Sequence, residues 1–392
     1  MVQLSVWEKE TFFAPQDVVI VGSGFVGLWS ALKLMEINPH QKITILERGI
    51  IPTGASTRNA GFSCFGSPSE LLNDVAAKGE AKTFELVSLR YKGLAEIRKY
   101  FTDEAIGYDA SGGYECFTNG SADWQLCAAQ LGWLNEKLLP ITGIANTFTV
   151  ADEKLAAFGF KGFDHLIENK LEGGLHSGKL VTALLKKVQG MGVQVLTNME
   201  VLKYEQQDGS IAITTSLHID FSTKKLLLCT NAFTKQFIPG IDIIPCRGQV
   251  LVTSPITGFK LKGTFHFDQG FYYFRNLGNR LLIGGARNKA LAEEETTAMQ
   301  TTPLIQQELE NFIQQHILPD TSFTITDRWS GIMAMGSEKM PIIKSIAPNV
   351  FCCVRMSGMG VALAPVVAQQ AVLMINNDAG EFGLFPSRLI TS

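Results

Sequence analysis

Residues 17–47 read DVVIVGSGFVGLWSALKLMEINPHQKITILE, and the fold turns on how the period changes along them. Val18 to Val21 are β-branched and uninterrupted, as a strand buried on both faces should read. Gly22-Ser23-Gly24-Phe25-Val26-Gly27 follows, and then a helical pattern with apolar residues at 28, 31, 32, 34 and 35. Residues 42–47, KITILE, supply a second strand that closes on an acid, Glu47. Three glycines alone are weak evidence. Here the strand before, the helix after and the acid twenty residues beyond Gly27 meet the context that a dinucleotide site needs. Gly22 permits the tight turn, Gly24 lets backbone approach a pyrophosphate, and Gly27 lets helix and strand close up. The helix start offers amide donors and a positive dipole end, and Glu47 can accept from both ribose hydroxyls while repelling a 2′-phosphate.

Outward from that unit, the 392 residues suffice for two or three domains, and 46% hydrophobic against 18% charged residues allows a large core. The net charge of −3, with no run of four Lys or Arg, argues against a nucleic-acid partner. Seven cysteines without a CxxC fit reduced thiols, and the expected location is cytoplasmic. No signal peptide and no apolar stretch of about 18 residues is visible, so no transmembrane segment is expected.

Helical text is expected over 68–101, 177–190, 303–317 and 360–376, and hairpin strands over 106–118. A strand pair near 193–205, a hairpin plus a buried strand ending at Cys229, and antiparallel strands over 246–286 complete the pattern. The fold class is therefore α/β: a Rossmann-like body, residues 1–87, 166–232 and 329–392, interrupted by a mostly antiparallel β-sheet domain, residues 88–165 and 233–328.

Further segments share a resemblance. Gly-Ala-Ser-Thr-Arg-Asn-Ala-Gly-Phe (54–62), Gly-Gly-Leu-His-Ser-Gly-Lys-Leu-Val (173–181) and Leu-Leu-Cys-Thr-Asn-Ala (227–232) come in the order of the D-amino-acid oxidase superfamily of flavoenzymes. So do Tyr-Tyr-Phe-Arg (272–275), Leu-Leu-Ile-Gly-Gly (281–285), Arg-Trp-Ser-Gly-Ile (328–332), Pro-Ile-Ile (341–343) and Ser-Gly-Met-Gly-Val-Ala-Leu-Ala-Pro (357–365). The resemblance spans nearly the whole chain and implies FAD as cofactor and a substrate bound in the inserted domain. It implies cofactor contacts at Gly22, Gly24, Phe25, Val26, Gly27, Glu47 and Arg48, and at Ser56, Thr57, Arg58, Asn59, Ala60 and Gly61. Val201, Cys229, Thr230, Asn231, Gly331, Gly358, Met359, Gly360 and Val361 complete that set.

Departures from the family pattern narrow the chemistry. Gly331 stands where sarcosine oxidases carry the cysteine that links flavin, and 54–61 lacks the histidine other relatives use, so FAD is expected to be non-covalent. Met333 replaces the arginine that clamps a substrate carboxylate, which disfavours α-amino acids. Leu282 replaces the oxygen-activating lysine. Tyr272, Arg355 and His266 are the catalytic candidates, and Met333, Tyr273 and Met359 the pocket candidates. Tyr272 could equally be a packed strand tyrosine, Arg355 could pair with an acid, and His266 and Arg247 could be structural.

The expected reaction is hydride transfer from the C–N carbon of a small amine or amino acid to flavin, with hydrolysis of the imine and oxygen or an electron carrier as acceptor. One alternative is oxidation of a hydroxyacid C–OH with His266 as base. Another is a flavoprotein module in RNA modification or a non-catalytic scaffold, against which the charge balance weighs.

Overall fold

The computed structural model describes residues 3–377. The chain divides into two units, Met1–Thr57 with Gly178–Cys246 and Met333–Ser392, and Arg58–Ser177 with Arg247–Ile332.

In the first unit, the apolar strand Gln16–Val21 sits at the centre of a sheet. Its order is Ile342–Ala347, Val350–Val354, Asp220–Leu228, Gln16–Val21, Ile43–Leu46, Gln194–Leu196. The five strands from Val350–Val354 onward run parallel, with Ile342–Ala347 antiparallel at one edge. Val18, Val19, Ile20, Leu226, Leu227 and Leu228 are fully buried, which is why these runs carry no polar alternation. Register sets Val21 beside both Leu228 and Leu46, so Gly22, Glu47 and Cys229 gather at the carboxyl ends of adjacent strands. Open α/β sheets bind ligands outside those ends. Helices Phe25–Ile37 and Gly360–Asn377 pack against each other over this sheet. Both start at glycine-containing turns, one at Gly24 and one at Gly358.

The second unit is built on a sheet ordered Ile325–Met335, Ile244–Thr253, Arg280–Gly285, Tyr272–Leu277, Thr264–Phe267, Gly113–Phe117, His165–Asn169, Phe148–Val150. From Ile244–Thr253 onward, neighbours run antiparallel except for Thr264–Phe267 against Gly113–Phe117. Strand side chains alternate between faces. One face presents Tyr114, Cys116, Phe265, Tyr272, Phe274, Leu281 and Ile283 to Ile305, Leu309 and Phe312 of the helix Pro303–Phe312. Phe265 stacks on Phe274 at 5.0 Å and Tyr272 on Phe312 at 4.4 Å, so aromatic contacts carry much of this core. The other face presents Val250, Val252, Leu282, Tyr273 and Leu277.

Several sequence expectations are corrected. The helical text over 68–101 is two helices, Pro68–Lys78 and Glu80–Tyr100, separated by Gly79 at φ +84°. Residues 106–118 give one strand, Gly113–Phe117, whose neighbours come from distant segments rather than from a hairpin. The 303–317 helix ends in a π turn at Ile313–Ile317. The helix Ala122–Thr142 was not anticipated. It packs on the two helices over 68–100, which draws residues 58–87 into the second unit rather than into the nucleotide-binding body. Residues 166–177 go with them, because Gly173–Gly174 pairs with Phe62–Ser63. Residues 233–246 stay in the first unit, where Asp242 holds Arg355 and Ser337. Among the described residues no helix is long and apolar enough to cross a membrane.

Candidate active site

The first unit contains the nucleotide cradle. Gly22 takes φ +103° with its Cα against the Cys229 carbonyl, where a Cβ would lie 2.9 Å from the oxygen. A Cβ on Gly27 would lie 2.0 Å from the Gly22 carbonyl oxygen, so only glycine lets the helix sit this close to the strand. Gly24 caps the helix Phe25–Ile37 without a side-chain hydrogen bond. The Phe25 amide donates to Ser56 Oγ at 2.8 Å, while those of Val26 and Gly27 meet no protein acceptor. Glu47 is buried and accepts from the Ser23 amide (3.0 Å), the Ser23 hydroxyl (2.7 Å) and the Gly49 amide (2.9 Å).

Around it, Arg48 lies 3.7 Å over the Phe233 ring, Thr57 donates to the Pro52 carbonyl, Val201 is buried, and Thr230 pairs with Thr234. Burial pushes the Cys229 thiol well up, so it stays protonated. Asn231, at φ +45°, leaves its buried Oδ1 without a partner.

The second glycine turn belongs to the same unit. Arg355, Ser357 and Gly358 all take positive φ, at +63°, +48° and +79°. Such a cluster of unfavourable conformations persists only where surroundings enforce it. Ser357 donates its amide to the Ala334 carbonyl, and its buried Oγ has no partner. Gly360 and Val361 open the following helix, Met359 is buried, and Met333 Sδ lies beside Gly358. Uncommitted amides, an unpartnered amide oxygen and an unpartnered hydroxyl, beside glycines that admit no Cβ, fit a long polar ligand such as FAD.

Arg355 is not open to a ligand. Its Nη1 is paired with Asp242, and its Nε donates to the Met340 carbonyl at 2.9 Å. The expectation that it orients substrate is corrected: the acid-paired alternative is the one realised, because a buried guanidinium needs compensation. The Ser337 hydroxyl and then Arg355 hold Asp242 below the usual carboxylate range.

In the second unit, the segment after Thr57 is a brace. Trp329 Nε1 donates to the Arg58 carbonyl (2.9 Å), and Arg58 Nη1 to the Ser330 carbonyl (2.9 Å). Gly331 packs against Arg58, and a Cβ there would lie 2.9 Å from Arg58 Cβ. Asn59 Oδ1 accepts from the Gly61 amide and the Ser177 hydroxyl, and Ala60 joins the Val250–Leu282 cluster.

The same unit presents a polar and aromatic sheet face. Register pairs His266 with Tyr273 on one side and Glu115 on the other, giving a row Glu115, His266, Tyr273, Gly284 across four strands. Tyr273 lies on Gly284, where a Cβ would come 2.4 Å from the ring. Phe62 stands edge-on to His266 at 5.1 Å and to Tyr273 at 5.9 Å. His266 Nε2 is buried with no hydrogen-bond partner, and burial lowers its pKa to about 4, so the ring is neutral. The Tyr273 hydroxyl makes no hydrogen bond within the protein, and burial raises its pKa to about 12.

Tyr272 is the correction here. It faces the opposite side, donates to Glu308 at 2.7 Å and stacks on Phe312, so it belongs to the apolar core. Arg247 is structural as well, forked onto Glu294 at 2.7 and 2.8 Å.

Sequence reasoning did not single out Phe62, Glu115 or Glu172. Glu115 accepts from the Ser69 amide at 2.9 Å, and Glu172 from the Phe65 amide at 2.7 Å. Burial raises these carboxyls to about 7 and about 8. An acid inside an otherwise apolar strand, YECF, was the one available signal.

A Rossmann-type cradle in one unit and a neutral hydrogen-bonding sheet face in the other define the class as a dinucleotide-dependent oxidoreductase. The family model described as FAD dependent oxidoreductase, DAO, matches residues 17–373, and the chain belongs to that family. It is an FAD-dependent enzyme. The chain is 22% identical over 409 residues to the probable oxidoreductase OrdL of Haemophilus influenzae, covering 96% of this chain and 86% of that protein. It is 24% identical over 265 residues to L-2-hydroxyglutarate dehydrogenase of Escherichia coli, covering 61% of this chain and 54% of that one. The solved glycine oxidase of Geobacillus kaustophilus superposes with a TM-score of 0.75 at 16% identity, over 94% of this chain and 97% of that chain, a likeness of fold.

Proposed function

We propose that the protein oxidises a small amine or amino acid at the carbon bonded to nitrogen, and that water hydrolyses the resulting imine. The observation that carries this reading is the neutral face formed by His266, Tyr273 and Phe62. The donor nitrogen must be neutral before its carbon can release hydride, and a neutral imidazole whose Nε2 has no partner in the protein can accept a hydrogen bond from that nitrogen. The Tyr273 hydroxyl orients the nitrogen, and Phe62 keeps water off the reacting carbon. FAD, when bound, supplies the hydride acceptor. Val26, Gly27, Glu47, Asn231 and Ser357 of the first unit would hold it, and the electrons pass on to oxygen or another carrier.

A second reading, oxidation of a hydroxyacid C–OH, is supported by the likeness to L-2-hydroxyglutarate dehydrogenase and by the same unpartnered Nε2, which can accept from a donor hydroxyl. Anaerobic mixing with matched amino and hydroxy donors separates the two readings. Bleaching of the flavin by the nitrogen donors supports the first, and bleaching by the oxygen donors alone overturns it.

A further inference from the structure

We infer that Glu172 is a positioning residue for the reaction: it holds the segment that carries Phe62, and so sets that ring against His266. The inference rests on the His266–Tyr273 face being the substrate site. Phe62 belongs to residues 61–66, GFSCFG, a run bounded by glycines at φ +74° and +137°. The regular structure of this run is a two-residue ladder, Phe62 opposite Gly174 and Ser63 opposite Gly173. So short a ladder does not fix its own register, and a slip of one residue would turn Phe62 away from His266.

What fixes the run comes from residues 172–175. At one end the Leu175 amide donates to the Gly61 carbonyl at 2.8 Å. At the other end Glu172 Oε1 accepts from the amides of Phe65 (2.7 Å) and Gly66 (3.3 Å). The two clamps straddle Phe62. Gly174 is bridged on its other side to Asp109, through bonds of 2.7 and 3.0 Å, so the ladder has a support behind it. Glu172 is 3% exposed and lies on Gly113, where a Cβ would come 2.3 Å from Oε2. Gly113 opens the strand that carries Glu115, so the carboxyl ties the run to the sheet.

A buried acid without an ion pair is costly to keep. Arg90 is paired with Glu70, reaches Cys64 Sγ at 3.7 Å, and acts on Glu172 without contact. Phe65 is fully buried, edge-on to Tyr91 at 5.4 Å, so its amide needs an acceptor from the protein, and Glu172 supplies it. The consequence reaches His266, whose buried Nε2 has no partner and whose ring meets the Phe62 ring at 5.1 Å. Moving Phe62 admits water, and a hydrated imidazole protonates more easily. Glu70 and Arg90 act on His266 with opposite signs, and Glu115 and Tyr273 flank it in register. A change at Glu172 alters none of these four. Removing an acid cannot by itself raise the pKa of a nearby histidine, so a rise reports lost cover.

The first readout needs no substrate. The FAD-loaded protein is isotope-labelled at histidine, the His266 signal is assigned by its loss in His266→Phe, and NMR follows it from about pH 8 to 5. In the parent His266 should stay neutral throughout, with its pKa near 4. In Glu172→Ala and in Phe62→Ala it should take up a proton inside that window, whereas Glu172→Gln, which keeps the acceptor, should follow the parent. The double variant should match Phe62→Ala alone, because the effect of Glu172 passes through that ring. Flavin reduction by the matched amino and hydroxy donors should slow roughly tenfold in each alanine variant, and no further in the double variant. A neutral His266 in a folded Glu172→Ala protein would overturn the inference, as would effects that add in the double variant. If Glu172→Ala does not fold, Glu172→Asp withdraws the carboxyl by one methylene, and a His266 that stays neutral there overturns it equally. If His266 responds as stated but no donor reduces the flavin, the proposed reaction fails while the hold of Glu172 on Phe62 stands.

Discussion

Replacing Glu47 by alanine removes a carboxylate, 7% exposed, that gathers the Ser23 amide, the Ser23 hydroxyl and the Gly49 amide. Ser23 is 0% exposed, so water cannot replace the lost acceptor at either of its donors, whereas Gly49 is half-buried and can find water. Each unmet buried donor costs roughly 1–3 kcal/mol, and a hydroxyl can turn to a new partner, which brings the expected loss of apoprotein stability to about 2–4 kcal/mol. The loss of charge-assisted bonds to ribose should weaken FAD by about 1–3 kcal/mol more, some 5- to 150-fold in Kd. Glu47→Gln keeps an acceptor for Ser23 and should recover most of the stability but less of the affinity. The assay pairs thermal unfolding of apoprotein with fluorescence titration of FAD into it. A variant that loses stability yet binds FAD with the parent Kd would refute the ribose role and leave Glu47 as a brace for the Ser23 turn alone.

Other outcomes follow from the same geometry. Tyr273→Phe should slow flavin reduction by tenfold or so through loss of a substrate hydrogen bond, while Tyr272→Phe should cost about 1 kcal/mol of stability and leave the rate unchanged. Stopped-flow rates beside urea melts separate the two. Gly284→Ala would drive a methyl into the Tyr273 ring, so reduction should slow while FAD affinity holds. His266 is held near pKa 4 against 6.5 when unperturbed, so the unfolded chain takes up its proton first as pH falls. Its contribution is full above pH 6.5 and fades between 6.5 and about 4, by roughly 3 kcal/mol at most. The stability of His266→Phe should therefore fall less steeply in that window, as denaturant titrations across pH would record. With Gly331 where a linking cysteine would stand, acid precipitation should leave the yellow colour in the supernatant; colour in the pellet contradicts non-covalent FAD.

The nucleotide half was legible because its signals are local. A strand buried on both faces has to be apolar throughout, and Gly27 has to be glycine for a reason that involves Gly22, five residues away. The substrate face was not, because it depends on pleat parity and on partners remote in sequence. Tyr272 and Tyr273 are adjacent and identical, yet one enters an apolar core and the other meets His266. Only the bare Gly284 opposite Tyr273 distinguishes them, and that pairing is invisible until the strands are registered. Arg355 was open between two roles because its partner, Asp242, lies 113 residues away.

The central claim is that a neutral sheet face presents a C–N donor for oxidation. The most direct test is anaerobic mixing of the FAD-loaded protein with matched amines, amino acids and hydroxyacids, following flavin absorbance. The account predicts rapid bleaching by nitrogen donors, abolished or strongly slowed in His266→Phe. Bleaching by hydroxyacids alone, or at the parent rate in His266→Phe, would contradict it.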